Sequence, residues 1–119
     1  MGSKANCLVR EDRKFGILTR DINSIISILS TNLKIERVVL FGSRAKGNYY
    51  AGSDIDIAIK GQLLKVDDIL ESLSKIEKLT LPYRVDLVIF DRINEPDLIS
   101  HIDRVGISLF ERIPTTTKP

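Results

Sequence analysis

Apolar residues recur along this chain in two rhythms, one helical and one strand-like, and the breaks between them divide it into elements. Ile22, Ile25, Ile26, Leu29 and Leu33 fall at helical spacing, which predicts a first helix over Asp21 to Leu33, capped by Thr19 or Asp21. Glu36 to Phe41 holds a near-continuous apolar run ended by Gly42, the pattern of a strand buried on both faces. Ser43 to Gly47 reads as one turn of helix and Asn48 to Gly52 as a loop tip. Asp54 to Lys60 gives a second strand, stopped by Gly61. Val66, Ile69, Leu70, Leu73 and Ile76 then predict an amphipathic helix from about Lys65 to Leu79. Leu81-Pro82 is a connector, since a residue before proline is pushed out of helical geometry. Arg84 to Phe90 is a third strand. Asn94 caps a third long helix through Arg104, with Pro96 in its first turn and Asp97 completing a capping-box-like pair. Gly106 ends that helix, and Ile107 to Phe110 makes a short final strand.

This order predicts an α+β domain: a mixed sheet of about four strands with helices packed on one face. Residues 1–14 are polar and unpatterned, which suggests a flexible N-terminal arm; 15–112 form the domain and 113–119 a frayed tail. A chain of 119 residues, 43% hydrophobic and 29% charged, suits one globular domain with little room for a second, substrate-specific module. The net charge of +2, with Lys and Arg dispersed, gives no nucleic-acid footprint. Cys7 is the single cysteine, so no internal disulfide forms and a reducing cytosol fits. No apolar stretch approaches the roughly 20 residues of a membrane span, and Met1 to Arg13 lacks the apolar core of a signal peptide. A cytoplasmic protein is expected.

The chemistry gathers at Leu40-Phe41-Gly42-Ser43-Arg44-Ala45-Lys46-Gly47 and at Ser53-Asp54-Ile55-Asp56-Ile57. Residues two apart in a strand share a face, so Asp54 and Asp56 would project together. Two like charges so close repel unless a cation lies between them, and Mg²⁺ favours carboxylate oxygens while bridging to phosphates. Glycine at 42 allows a tight turn and close approach of a ligand, and Ser43 to Lys46 would offer N–H groups and a hydroxyl to phosphate. Asp86, embedded in Arg84-Val85-Asp86-Leu87-Val88-Ile89, adds a third acid. Three carboxylates beside a phosphate loop describe a two-metal phosphoryl or nucleotidyl transfer site. Plainer readings exist for each part. Gly42-Ser43 alone is a common turn, Asp54 and Asp56 alone a solvated strand start, and Asp86 a partner for Arg84 on its own strand face. Arg44 and Lys46 are candidate phosphate contacts or solvated charges. His101, the only histidine, reads as a surface residue on the polar side of its helix. Tyr49 and Tyr50 are candidate base or partner contacts.

The Gly-Ser pair, the ten residues after it and the Asp-x-Asp from Asp54 to Asp56 resemble the signature of the polymerase-β-like nucleotidyltransferases. Asp86 stands where that superfamily places its third metal-binding carboxylate. The short chain, the GSRAKG wording, and Leu81 to Leu87, Asn94 to Ile99 and His101 to Gly106 are similar to the minimal nucleotidyltransferase (MNT) branch. The resemblance covers roughly residues 15–112 and implies a nucleotidyltransferase core. It implies catalysis by Asp54, Asp56 and Asp86 holding two Mg²⁺ (or Mn²⁺) ions, with nucleotide at Gly42, Ser43 and Arg44 and ATP as substrate. It also implies a helical HEPN-type partner in a hetero-oligomer, an antitoxin role, and adenylylation of a tyrosine on that partner. A non-catalytic module that masks the partner, and a small-molecule nucleotidyltransferase that borrows a partner's binding surface, are the alternatives.

Overall fold

A two-residue turn opens the described part of the computed structural model, which spans residues 12–113. Strands β1 (Arg13–Lys14) and β2 (Ile17–Leu18) pair antiparallel across Phe15 and Gly16. Both turn residues have positive φ, 58° and 75°, as the tightest hairpin connections require. Gly16 is needed for space as well, because a Cβ there would meet the Tyr49 ring and the Arg44 guanidinium. Arg13 and Lys14, expected in the flexible arm, therefore belong to a hairpin. Residues 1–11 of that arm, and 114–119 of the tail, lie outside the described residues.

Helix α1 (Thr19–Ser30) follows directly and buries Ile22, Ile25 and Leu29. Its N-cap is Leu18, with no side-chain cap bond, so neither Thr19 nor Asp21 caps it. The helix ends before Leu33, which is 77% exposed, because Thr31 and Asn32 fold back onto the last turn. Thr31 Oγ1 donates to the Ile28 carbonyl at 2.6 Å and the Asn32 N–H to the Leu29 carbonyl at 3.1 Å. Strand β3 (Arg37–Phe41), the short helix α2 (Gly42–Lys46), strand β4 (Ile55–Lys60), helix α3 (Val66–Glu77) and strand β5 (Val85–Ile89) come next. A 3₁₀ turn (Phe90–Arg92), helix α4 (Pro96–Val105) and strand β6 (Ile107–Glu111) complete the described chain. Helix α4 starts after Glu95 with Pro96 in its first turn and no side-chain cap bond, so Asn94 is not the cap. None of the described helices is long and apolar enough to cross a membrane.

The larger sheet has the order β5-β4-β3-β6. Strand β3 pairs antiparallel with both β4 and β6, while β4 and β5 run parallel, joined through α3. Strand alternation then splits the apolar residues into two cores. Val38, Leu40, Ile55, Ile57, Ile59, Leu87 and Ile89 meet α1 and α3 on one face. Val39, Phe41 and Ala58 meet Ile102 and Leu98 of α4 on the other. The mixed four-stranded sheet is as expected, but helices cover both of its faces and not one. The reason lies in β3, whose unbroken apolar run needs cover on each side.

Asp68 ties the first core together. It accepts the Lys65 N–H at 2.8 Å, capping α3, and also meets Asn32 Nδ2 and Lys34 Nζ, each at 3.0 Å, beyond the end of α1. The Lys65 N–H, with help from Lys34 and Asn32, holds its carboxyl below the usual carboxylate range. Val66 and Leu70 stay exposed, so the buried stripe of α3 is narrower than its sequence implies.

Candidate functional site

The register sets the site. Phe41 of β3 lies opposite Asp56 of β4, and Asp56 lies beside Asp86 of β5. Ile55, Ile57 and Leu87 point into the core under α1 and α3, so Asp56 and Asp86 face the α4 side of the sheet. Asp54, just before β4, is exposed, whereas Asp56 and Asp86 are half-buried. Burial pushes the Asp56 carboxyl above its usual range; the charges of Asp86 and then Asp54 push it further, and His101 partly opposes them. Like charges thus flank Asp56 on two sides.

Among the described residues, no group of three His, Cys, Asp or Glu side chains closes into a ready cation cage. The chemistry of the donors nevertheless fits a hard divalent ion: all are carboxylate oxygens, and the repulsion that adds to the burial of Asp56 is what such an ion would relieve. Arg84 Nε stands 3.5 Å from Asp86 Oδ1, the pairing given above as the plainer reading of Asp86, but the Arg84 side chain is largely in water and holds Asp86 weakly.

Gly42 begins α2 at φ +78°, a conformation open to glycine, and a Cβ on it would strike Asp56 Oδ2. Its N–H donates to Nε2 of His101 at 3.2 Å. The His101 ring meets Phe41 edge to face, with centroids 6.2 Å apart. His101 is therefore not the surface residue expected; it is half-buried against the site. The signal was present in the spacing, since Leu98, His101 and Ile102 occupy i, i+3 and i+4 of the α4 stripe that faces the sheet. Ser43 is also half-buried, and its carbonyl accepts the Gly47 N–H at 2.9 Å, with Gly47 at φ +93° closing the turn.

Arg44 departs most from expectation. It is 1% exposed, and its guanidinium donates to the carbonyls of Ser53 (3.1 and 2.8 Å), Phe15 (2.8 Å) and Ala51 (3.3 Å). The rings of Tyr49 and Tyr83 lie 5.2 and 5.0 Å from its centre. A cation committed in this way is not available to phosphate, so the expected nucleotide contact at Arg44 is corrected to a clamp inside the loop. Tyr49 is bound to that clamp, while Tyr50 is 73% exposed.

The profile described as "Polymerase beta, Nucleotidyltransferase" matches residues 23–115. A protein of Methanocaldococcus jannaschii named as a candidate protein adenylyltransferase is 28% identical over 96 residues, spanning 76% of this chain and 89% of the relative. In a crystal structure of a toxin–antitoxin with AMP-PNP, one chain matches with a TM-score of 0.64 and 29% identity, over 76% of this chain and 73% of that one. A structure of the tri-AMPylated Shewanella oneidensis HEPN toxin in complex with MNT antitoxin contains a similar chain. There the TM-score is 0.60 at 26% identity, over 77% of this chain and 71% of that one.

Proposed function

The chain belongs to the polymerase beta nucleotidyltransferase family, and from that premise we propose that it transfers AMP from ATP to a HEPN-type protein partner and so acts as its antitoxin. The observation that carries this reading is the lateral row from the Gly42 turn through Asp56 to Asp86 on one sheet face. The name of the archaeal relative and the AMPylated toxin in the similar complex support a protein acceptor.

In this reading Gly42 shapes the turn that seats the triphosphate, and Ser43 offers its N–H and hydroxyl to phosphate oxygens. Asp54 and Asp56 would hold one Mg²⁺ (or Mn²⁺), and Asp56 with Asp86 a second. Such ions supply charge neutralisation on the phosphates and lower the basicity of the attacking oxygen. Asp86, at the opposite end of the row from the glycine turn, orients the acceptor hydroxyl, a tyrosine phenol, and takes up its proton. The acceptor oxygen bonds to the α-phosphorus as the bond to the bridging oxygen breaks, and pyrophosphate leaves. The cytoplasm, which holds both ATP and Mg²⁺, is the compartment this reaction requires.

The test is to co-express the chain with a HEPN-type protein encoded beside it, add ATP and Mg²⁺, and read the partner's intact mass. One or more added AMP masses, absent with the Asp54→Asn/Asp56→Asn variant, are expected. Copurification with no mass change would turn the reading into a masking module. Failure of the two proteins to associate would remove the partner.

A further inference from the structure

We propose that His101 is a positioning residue of this site: by accepting the Gly42 N–H on Nε2 it fixes the peptide that joins β3 to α2, and with it the placement of Ser43. The inference rests on the nucleotidyltransferase reading above and refines it. Gly42 is held from two directions by two separate elements. Asp56 of β4 occupies the space a Cβ would take, and His101 of α4 receives the N–H at 3.2 Å. A glycine at φ +78° has no side chain to settle its orientation, so these neighbours must do it.

The imidazole is itself well placed for this. Phe41, the residue before Gly42, meets its ring edge to face, and Ile102, next to it on α4, is buried against Val39, Phe41 and Ala58. The bond uses the Nε2 lone pair, so the ring serves here as an acceptor. With its N–H already committed, Gly42 contributes conformation and not a donor; the groups offered to phosphate begin at Ser43. The hydrogen bond also makes the turn depend on the position of α4, a helix from the far end of the sequence.

The experiment compares His101→Leu, which removes the acceptor, with His101→Gln, whose amide oxygen can reach the Nε2 position. The full chain is used with its partner, ATP is varied, and binding of a non-hydrolysable ATP analogue is followed by calorimetry. His101→Leu should raise KM for ATP and weaken analogue binding about tenfold, the order of one hydrogen bond, while kcat changes less than about twofold. His101→Gln should recover most of the loss, with both variants melting near the wild-type temperature. Unchanged KM in His101→Leu, or equal defects in Leu and Gln, would overturn the proposal, the second result assigning the effect to ring packing alone. The Gly42 amide resonance gives a readout independent of nucleotide: its shift and exchange protection should change in His101→Leu and be kept in His101→Gln. A wild-type chain that binds no nucleotide would sink the functional reading, while that resonance would still decide the role of His101.

Discussion

Asp56 bears the electrostatic strain of the site. Burial, then the charges of Asp86 and Asp54, set its carboxyl above the usual value of 3.8. The native chain therefore holds this proton more tightly than the unfolded chain, and stability falls as pH rises through the carboxylate range and stays lower at neutrality. Asp56→Asn should raise the melting temperature of the metal-free protein at pH 7 while removing metal-dependent nucleotide binding. Asp56 is only half-buried, so water screens the repulsion and the rise should be roughly 2–5 °C. The advantage should close as pH falls below about 3.8, which melts across a pH series would show. A variant melting below wild type at pH 7 would contradict this. Asp68 works in the opposite sense: its lowered carboxyl adds stability above the unfolded value, lost as pH falls through the folded one. The acids were legible in the sequence because strand alternation is a local rule that turns an i, i+2 spacing into a shared face. The place of His101 on the buried stripe was legible in its spacing with Leu98 and Ile102, but its bond to Gly42 and the contacts of Arg44 with Phe15 and Tyr83 join residues far apart in sequence and leave no local pattern.

At the scale of elements, period and breakers located each described α-helix and each strand of the main sheet, with ends displaced by a few residues, but not the 3₁₀ turn at Phe90–Arg92. The β1–β2 hairpin escaped because strands of two residues leave no periodicity to read, and of its turn residues only Gly16 is a usual turn former. That hairpin matters to the site. Arg44 joins its Phe15 carbonyl to the Ala51 and Ser53 carbonyls, so the hairpin and the loop leading into Asp54 are fastened to α2 by one guanidinium. Lysine cannot replace it: an ammonium is a point donor on a flexible stem, without the planar fork that serves several carbonyls at once. Arg44→Lys should cost about 2–3 kcal/mol, read from the urea midpoint, through carbonyls left buried without donors. Analogue binding should weaken too, because the loop before Asp54 loses its anchor. A variant with wild-type stability would show that the loop holds itself.

Over the whole molecule, the sheet lies between two unequal cores, a broad one under α1 and α3 and a small one under α4. The sequence could not assign helices to faces: an apolar stripe shows that a helix buries one side, but not which side of a sheet receives it. The carboxylates share their face with α4, the helix with the smaller core. The row Phe41–Asp56–Asp86 also has a consequence in time. Gly42 and Asp56 are brought together by adjacent antiparallel strands, a short closure, whereas Asp86 must wait for the longer excursion through α3, and His101 for β5 and α4 beyond it. If strand pairing follows these closure lengths, the last acid meets two charges already in place, and the step that pairs β5 with β4 carries their repulsion. A divalent cation should speed that step: refolding in millimolar Mg²⁺ should be faster than in chelator, and the gain should vanish in Asp54→Asn/Asp56→Asn. Equal rates would mean that the acids meet only after the barrier is crossed. On a ribosome, which releases the N-terminal part first, the same order means that a nascent chain brings Gly42 beside Asp56 early and has its turn fixed only when the final helix has docked.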